Sequence, residues 1–443
     1  MADWQKELSM KKMNLNKWVG LLVVAALTFM AGTSCTQNKK SNPVDEEEAA
    51  TEEQEETSLD ELENLAEALK KYRTVQPFSE GLAIVMDDDT ELWGAIDKSG
   101  KEVIPCKFRI ITNDFHEGVT FAYPDEEESL CIVIDKKGKT LFDIDFTYHC
   151  REFSDGLLAF CKPYDIEDYS DMPKVGDILS FGKLGFIDKK GNVVIQPDTY
   201  DVPMGEGPVS STFFEGLCKV WKDGHPIFID TKGNEVIDPK AGDVSDFSDG
   251  MASVFMYDDG TMGFINKRGE QVIPPSNRFE GATPFSEGRA FALKEGKYAL
   301  IDKEGNELTP FLFDDISLYE GTEGEERIIG TFHEGLAAVA KNGKFGYIDR
   351  DGNTVIPFRY KPGYDEDNEW YNKQAAYDFH EGVARVWSSR TKKYGFIDKE
   401  GNEITPCRFD EASDMSGGLA LVQIGEDYGF IDKEGNCTLD LDE

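Results

Sequence analysis

Residues 332–357 read FHEGLAAVAKNGKFGYIDRDGNTVIP, and variants of this stretch return along most of the 443-residue chain. Phe-x-Glu-Gly opens a short apolar run, Leu336 to Ala340, of a length that suits a strand. Lys341-Asn342-Gly343-Lys344 is a turn and Phe345-Gly346-Tyr347-Ile348-Asp349 a second strand, so the two make a hairpin. Asp349 begins another turn, in which its side chain can accept hydrogen bonds from the turn's own N–H groups and Gly352 supplies a positive φ. Val355-Ile356-Pro357 then returns as a third strand.

Two anchors recur in strict alternation. Phe-x-Glu/Asp-Gly begins at Phe78, Phe115, Phe153, Phe213, Phe247, Phe285, Phe332 and Phe379, with Met415-Ser416-Gly417-Gly418 as a degenerate ninth. Ile-Asp-x-x-Gly has its acid at Asp97, Asp135, Asp188, Asp230, Asp302, Asp349, Asp398 and Asp432, with Asn266 in its place once. From anchor glycine to the next acid is 14 to 17 residues in eight of nine units, which excludes chance spacing. We number these units repeats 1 to 9. The fold class is all-β, a tandem array of about nine β-meander or hairpin repeats, each taking its core from its neighbours. Nine units exceed the usual 4–8 blades of a propeller, so an open solenoid or superhelix is expected, with a closed β-propeller as the alternative.

These units resemble the WG (KWG) repeats, which read roughly Trp-Gly-x-Ile-Asp-x-x-Gly, then Val-Ile-Pro, then Phe-x-Glu-Gly-Leu-Ala. The resemblance runs from Val75 to the C-terminus. Trp93-Gly94 keeps the dipeptide; Tyr394-Gly395, Tyr428-Gly429, Phe345-Gly346, Leu184-Gly185 and Met262-Gly263 soften it, while Cys131-Ile132, Pro226-Ile227 and Tyr298-Ala299 lose the glycine. The family is spread across secreted and surface bacterial proteins, so the resemblance implies architecture rather than activity.

Ahead of the repeats, Lys11, Lys12 and Lys17 precede an apolar run from Trp18 to Met30, then Ala31, Gly32, Thr33, Ser34 and Cys35. This is a secretory signal, too short to span a bilayer core that needs roughly 20 residues. Small residues before Cys35 resemble the lipobox of bacterial lipoproteins, which makes Cys35 the expected lipidation site. The implied division is 1–35 signal peptide, 36–57 acidic disordered tether, 58–74 amphipathic capping helix and 75–443 WG-repeat array. Leu59, Leu62, Leu65, Ala66, Leu69 and Tyr72 share a face of that helix, and Ser58 with Glu61 makes a capping box.

The formal net charge of −39 excludes a nucleic-acid partner, whose phosphates demand a basic face. Cys106, Cys131, Cys150, Cys161, Cys218, Cys407 and Cys437 form no CxxC pair; Cys106 and Cys407 share a repeat position and read as packing residues, and a disulfide among Cys131, Cys150 and Cys161 is allowed. His116, His333 and His380 occupy the place that Ser holds in other Phe-x-Glu-Gly anchors and read as turn residues; a His333–His380 metal site with Glu334 and Glu381 is the weaker alternative. No cofactor and no metal is expected. Acids repeated as equivalent turn residues argue for a scaffold, not an enzyme, which needs one asymmetric constellation.

The informative irregularity is where repeats lengthen. From anchor acid to the next Phe is usually 17 to 19 residues, but it is 30 from Asp302 to Phe332 and 30 again from Asp349 to Phe379. The second insertion carries Tyr360, Tyr364, Asp365, Asp367, Trp370 and Tyr371, an aromatic and acidic set suited to a sugar ring or a protein anchor. A third insertion, Lys162 to Gly182, falls at a different phase. The expected function is a secreted, non-catalytic scaffold, lipid-anchored in the cell envelope at the outer membrane, that recognises a protein or glycan. An acidic-site glycan hydrolase and a purely structural spacer are the alternatives.

Overall fold

The computed structural model describes residues 58–112, 114–124, 131–144, 148–149, 152–165, 173–175, 178–203, 211–314, 329–364 and 372–441. The signal segment, Cys35 and the acidic tract therefore lie outside the described residues. Helix α1 (Leu59–Leu69) starts at the capping box: the Glu61 N–H donates to Ser58 Oγ, and the Ser58 N–H donates to Glu61 Oε2 at 2.9 Å. Leu62, Leu65 and Leu69 form its buried stripe.

Repeat 1 sets the pattern. Strands β1 (Tyr72–Ser79), β2 (Leu82–Asp87), β3 (Trp93–Ile96) and β4 (Glu102–Phe108) pair in that order as an antiparallel meander. The strand before the anchor thus adds a fourth to the three legible in sequence. Repeat 5 repeats the order with Asp243–Val244, Met251–Met256, Thr261–Asn266 and Gln271–Ser276. Repeats 3 and 4 are joined by one long strand, Val193–Pro203, that pairs with both. No sheet closes into a barrel among the described residues.

The two anchors are turns for definite reasons. Between paired Ser79 and Leu82 lie only Glu80 and Gly81, with φ of 49° and 82°, the backbone of a two-residue type I′ hairpin. In the second anchor, Asp349 Oδ1 accepts the N–H groups of Asp351 at 3.0 Å and Asn353 at 2.8 Å, and Asn353 Nδ2 donates to Oδ2. All nine repeats make these two N–H bonds, Asn266 standing in with its amide oxygen in repeat 5.

The glycine of the Trp-Gly pair follows from a bulge. Trp93 pairs with Phe108 but Ala95 with Ile104, so the strand after Val-Ile-Pro humps over Gly94. A Cβ there would stand 2.4 Å from the Ile104 carbonyl oxygen, and at Gly346 and Gly395 2.7 Å from those of Ile356 and Thr405. Repeat 2, which has Cys131-Ile132 instead, pairs Cys131, Ile132 and Val133 in unbroken register with Ile144, Asp143 and Phe142. Without the hump, a side chain fits.

Neighbouring repeats share cores through the residue two before the turn acid, which is Ala95, Val133 and Leu300 in repeats 1, 2 and 6 and in several others an aromatic that meets the anchor Phe of the next repeat. Ring centroids are 5.1 Å apart for Phe186 and Phe213, 4.7 Å for Phe228 and Phe247, 5.0 Å for Phe264 and Phe285, and 5.0 Å for Tyr347 and Phe379. Phe430 of repeat 9 meets Phe78 of repeat 1 in the same way, at 4.7 Å. Leu419 and Phe430 share a buried core with Val75, Phe78, Ala83, Val85 and Ile96, covered by Leu62, Leu65 and Leu69 of α1. The tandem array is the expected one, and its ends meet. Repeat number favours the open stack over the closed propeller, and no sheet closes into a barrel among the described residues; the shared core nevertheless brings repeats 1 and 9 into contact. The expected capping helix lies on this last seam, where a Cβ on Gly100 would stand 2.6 Å from Ala68.

Candidate functional site

Each meander has two ends with different duties. The anchor turns, between the first and second strands and between the third and fourth, lie at one end. The middle hairpin tips and the connections between repeats lie at the other.

The anchor end is tied together. In a type I′ turn the second turn residue's N–H is not used by the turn, so the anchor glycine has a donor to spare. The acid of the preceding repeat takes it. Glu80 accepts from Gly118 at 2.9 Å, Glu117 from Gly156 at 2.9 Å, Asp155 from Gly216 at 2.7 Å, Glu215 from Gly250 at 3.0 Å, Glu287 from Gly335 at 2.9 Å and Glu334 from Gly382 at 2.8 Å. Asp249 does the same for Gly288, and Glu381 for both Gly417 and Gly418. In six of these eight seams a lysine two turns away completes the clasp, as Lys189 does on Glu117 at 2.9 Å and Lys399 on Glu334 at 3.0 Å. The middle anchor residue adds a further tie: Ser79 Oγ donates to the Phe115 carbonyl at 2.7 Å, and His116 Nδ1 reaches that of Phe153 at 2.7 Å. His116 thus replaces serine in a bond between repeats.

The free end carries the irregular segments. The excursions from Asp302 to Phe332 and from Asp349 to Phe379 are connections between repeats, so both leave this end. The strands that flank the excursion within 162–182, Leu157–Pro163 and Ile178–Asp188, pair with each other, so these flanks lie at the same end. Their different phase along the chain is therefore not a different place. Between repeats 6 and 7 this region holds a cavity of about 480 Å³, lined among others by Glu280, Thr283, Leu293, Tyr298, Ile329 and Thr331. On the tip of repeat 5, Phe255 and Tyr257 are exposed, Tyr257 at 67 %, and pack edge-on at 5.7 Å.

Of the residues singled out in the second insertion, Tyr360 is half-buried against the core shared by repeats 7 and 8, and its hydroxyl accepts from Arg359 at 2.8 Å. Burial raises its pKa. Tyr364 pairs through its backbone, in strand Gly363–Tyr364, with Asn372–Lys373. Asp365, Asp367, Trp370 and Tyr371 lie outside the described residues. Gly363 packs against Trp387, where a Cβ would penetrate the ring, and Trp387 Nε1 is buried without a hydrogen-bond partner among the described residues.

A polar cluster sits between repeats 7, 8 and 9. Arg385, 6 % exposed, donates to Asp414 at 2.8 Å and to the Ala412 carbonyl at 2.6 Å, and lies 3.9 Å over the Tyr377 ring. His333 and His380 are indeed side by side, with centroids 5.3 Å apart, and His333 Nε2 is 3.5 Å from Asp378 Oδ2. Burial, with help from Asp414, pushes the Asp378 carboxyl up to about 6, against the pull of His333; burial lowers His380. Glu334 and Glu381 are drawn away into their clasps, and no group of metal-ligating residues forms among the described residues. Sequence reading missed Arg385 and Asp378; an Arg inside an otherwise apolar strand, Val383–Ser388, was the available signal.

Cys131 and Cys161 are free, so neither takes part in the disulfide allowed by the sequence; Cys150 lies outside the described residues. Burial pushes the thiols of Cys106, Cys131, Cys161 and Cys407 up to about 11. No described helix is long and apolar enough to cross a membrane.

Tandem antiparallel meanders, most of three or four strands, that share cores across every seam define a β-repeat scaffold. The particular family follows from comparison: the model of the WG-containing repeat matches residues 93–122, 185–202, 228–258, 262–298, 327–345, 345–361 and 394–426, and the chain belongs to the WG repeat family. No curated protein matches it. Among solved structures it is similar to a eukaryotic initiation factor, at 9 % identity over 79 % of this chain and 92 % of that one, with a TM-score of 0.49. Apo AztD from Citrobacter koseri follows at 14 % identity, covering 70 % and 90 %, with a TM-score of 0.36. Likenesses this distant carry no functional argument.

Proposed function

We propose that this WG-repeat scaffold is a secreted protein, lipid-anchored through Cys35 in the cell envelope, that recognises a protein or a glycan with the free end of its repeats and performs no catalysis. One observation carries the reading: the described flanks of all three long excursions lie at the end that the clasps do not use. Binding segments gather where a rigid frame leaves them unconstrained. The cavity between repeats 6 and 7 and the exposed Phe255–Tyr257 pair lie at that end too, and aromatic faces of this kind suit a sugar ring or a protein anchor. Against catalysis stands the use made of the repeated acids, each engaged in its own turn or in the neighbouring repeat's amide.

The test is capture on a glycan array and from envelope extracts, comparing the wild type with Trp370→Ala, Tyr364→Ala and Tyr257→Ala. Capture weakened tenfold or more by a free-end variant, about 1.4 kcal/mol, supports the reading. Capture unchanged by all three, or lost only on altering the clasp end, overturns it. Anchoring is tested separately by fatty-acid labelling of wild type and Cys35→Ser.

A further inference from the structure

The circle of clasps has one gap. Repeat 9 carries Gly417 where every other repeat carries Glu or Asp, so nothing from repeat 9 can accept the Gly81 N–H of repeat 1. The rest of the clasp is in place. A Cβ on Gly417 would stand 3.1 Å from both Cε and Nζ of Lys98, so this lysine occupies the position that Lys189 and Lys399 hold over their carboxylates. Lys98 forms no ion pair and the Gly81 N–H no hydrogen bond among the described residues. Gly81 is exposed, whereas its counterparts Gly118, Gly156, Gly216, Gly250, Gly288, Gly335, Gly382 and Gly418 are all half-buried. The aromatic packing across the same seam is normal, with Phe78 and Phe430 at 4.7 Å, so the gap is not a seam that has come apart.

We propose that the Gly81 N–H and the Lys98 ammonium form a binding site for a carboxylate brought from outside the repeat framework. The geometry is supplied eight times over by the molecule itself: a carboxylate oxygen on a turn amide at 2.5–3.2 Å, with an ammonium beside it in six cases. Charge-assisted bonds of this type are the strong ones, and a donor pair already held in position needs little ordering to accept the ligand. The carboxylate is that of a free or partner-borne acid, of which acetate is the simplest form. Lys98 already exerts its field on Glu61 of α1. The site is separate from the free end and does not depend on the function proposed above.

Amide hydrogen exchange, read by mass spectrometry on peptides containing Gly81 and Gly118, tests the site in the full chain. Sodium acetate is the probe, against sodium chloride at equal ionic strength. With a free site, Gly81 exchanges about tenfold faster than Gly118, and acetate slows it by a factor that reaches about two at the Kd. Lys98→Met weakens that response. Gly417→Glu, accommodated by a shift of the Lys98 tip, must slow Gly81 to the rate of Gly118 in chloride alone. Exchange at Gly81 that ignores acetate, or that Gly417→Glu leaves fast, overturns the proposal.

Discussion

Glu334→Ala removes one clasp and leaves the cores of repeats 7 and 8 untouched. The carboxylate accepts the Gly382 N–H at 2.8 Å and pairs with Lys399 at 3.0 Å, with its side chain 33 % exposed. A hydrogen bond to a charged group contributes about 1.5–3 kcal/mol, and an exposed ion pair about 0.2–1 kcal/mol. Screening at a site one-third open to water brings the expected loss to about 1–2 kcal/mol. Burial acts to raise the Glu334 pKa, but the bonds from Lys399 and from the Gly382 N–H outweigh it and hold the carboxyl below its ordinary value. A depressed folded-state pKa means that this stability is present above the unfolded-state pKa and is lost as pH falls through the folded one. Urea unfolding at pH 7 and at pH 3 therefore gives a deficit for Glu334→Ala at the higher pH that shrinks at the lower. Glu426→Ala, on an exposed tip, is the control. Equality of the two variants at pH 7, or a deficit undiminished at pH 3, refutes the clasp as a source of stability.

Gly346→Ala places a methyl 2.7 Å from the Ile356 carbonyl oxygen, and equilibrium unfolding should show a loss of about 1–3 kcal/mol, whereas Gly343→Ala in the open hairpin tip meets no atom within 4 Å and suffers only from its positive φ of 69°. Arg385→Met leaves Asp414 without its partner and should cost about 3–5 kcal/mol, with part recovered in the Arg385→Met, Asp414→Leu double variant. Asp378 has a raised folded-state pKa, so the native state favours its protonated form: that contribution is full below the unfolded pKa and lost as pH rises through about 6. Asp378→Asn should accordingly unfold at higher urea than the wild type at pH 7.5, with the advantage gone near pH 4. Cys131 and Cys161, with thiols near 11, should resist a thiol reagent at pH 8 in the folded protein and react promptly in urea.

What was legible in the sequence was local. The turn role of Asp349 and its eight counterparts could be read because acceptor and donors lie within four residues, and the α1 capping box for the same reason. The clasp of Glu334 on Gly382 could not, because its donor is a whole repeat away and the type I′ backbone that frees that N–H is not written in any single residue. His116 reads as a tolerated variant of serine until its bond to the Phe153 carbonyl is seen. Meeting of the ends was hidden because seam geometry depends on small rotations between repeats, to which Phe78 and Phe430 give no clue beyond sharing their positions with Phe247 and Phe228. Insertion phase was legible, but the common end of the excursions appears only once the middle hairpin tips and the repeat connections are placed together. Of the aromatic candidates, the structure places Tyr360 at a core edge, a position that spacing alone could not separate from an exposed one.

Closure of the array through repeats 9 and 1 is tested most directly by a double-mutant cycle on Phe78→Leu and Phe430→Leu, two rings near opposite ends of the chain. Contact at 4.7 Å predicts a coupling of about 0.5–1.5 kcal/mol in the unfolding free energy, matching a Phe228–Phe247 cycle within the array. Strict additivity at the 78–430 pair, alongside clear coupling at 228–247, would mean that the ends stand apart and would contradict their contact.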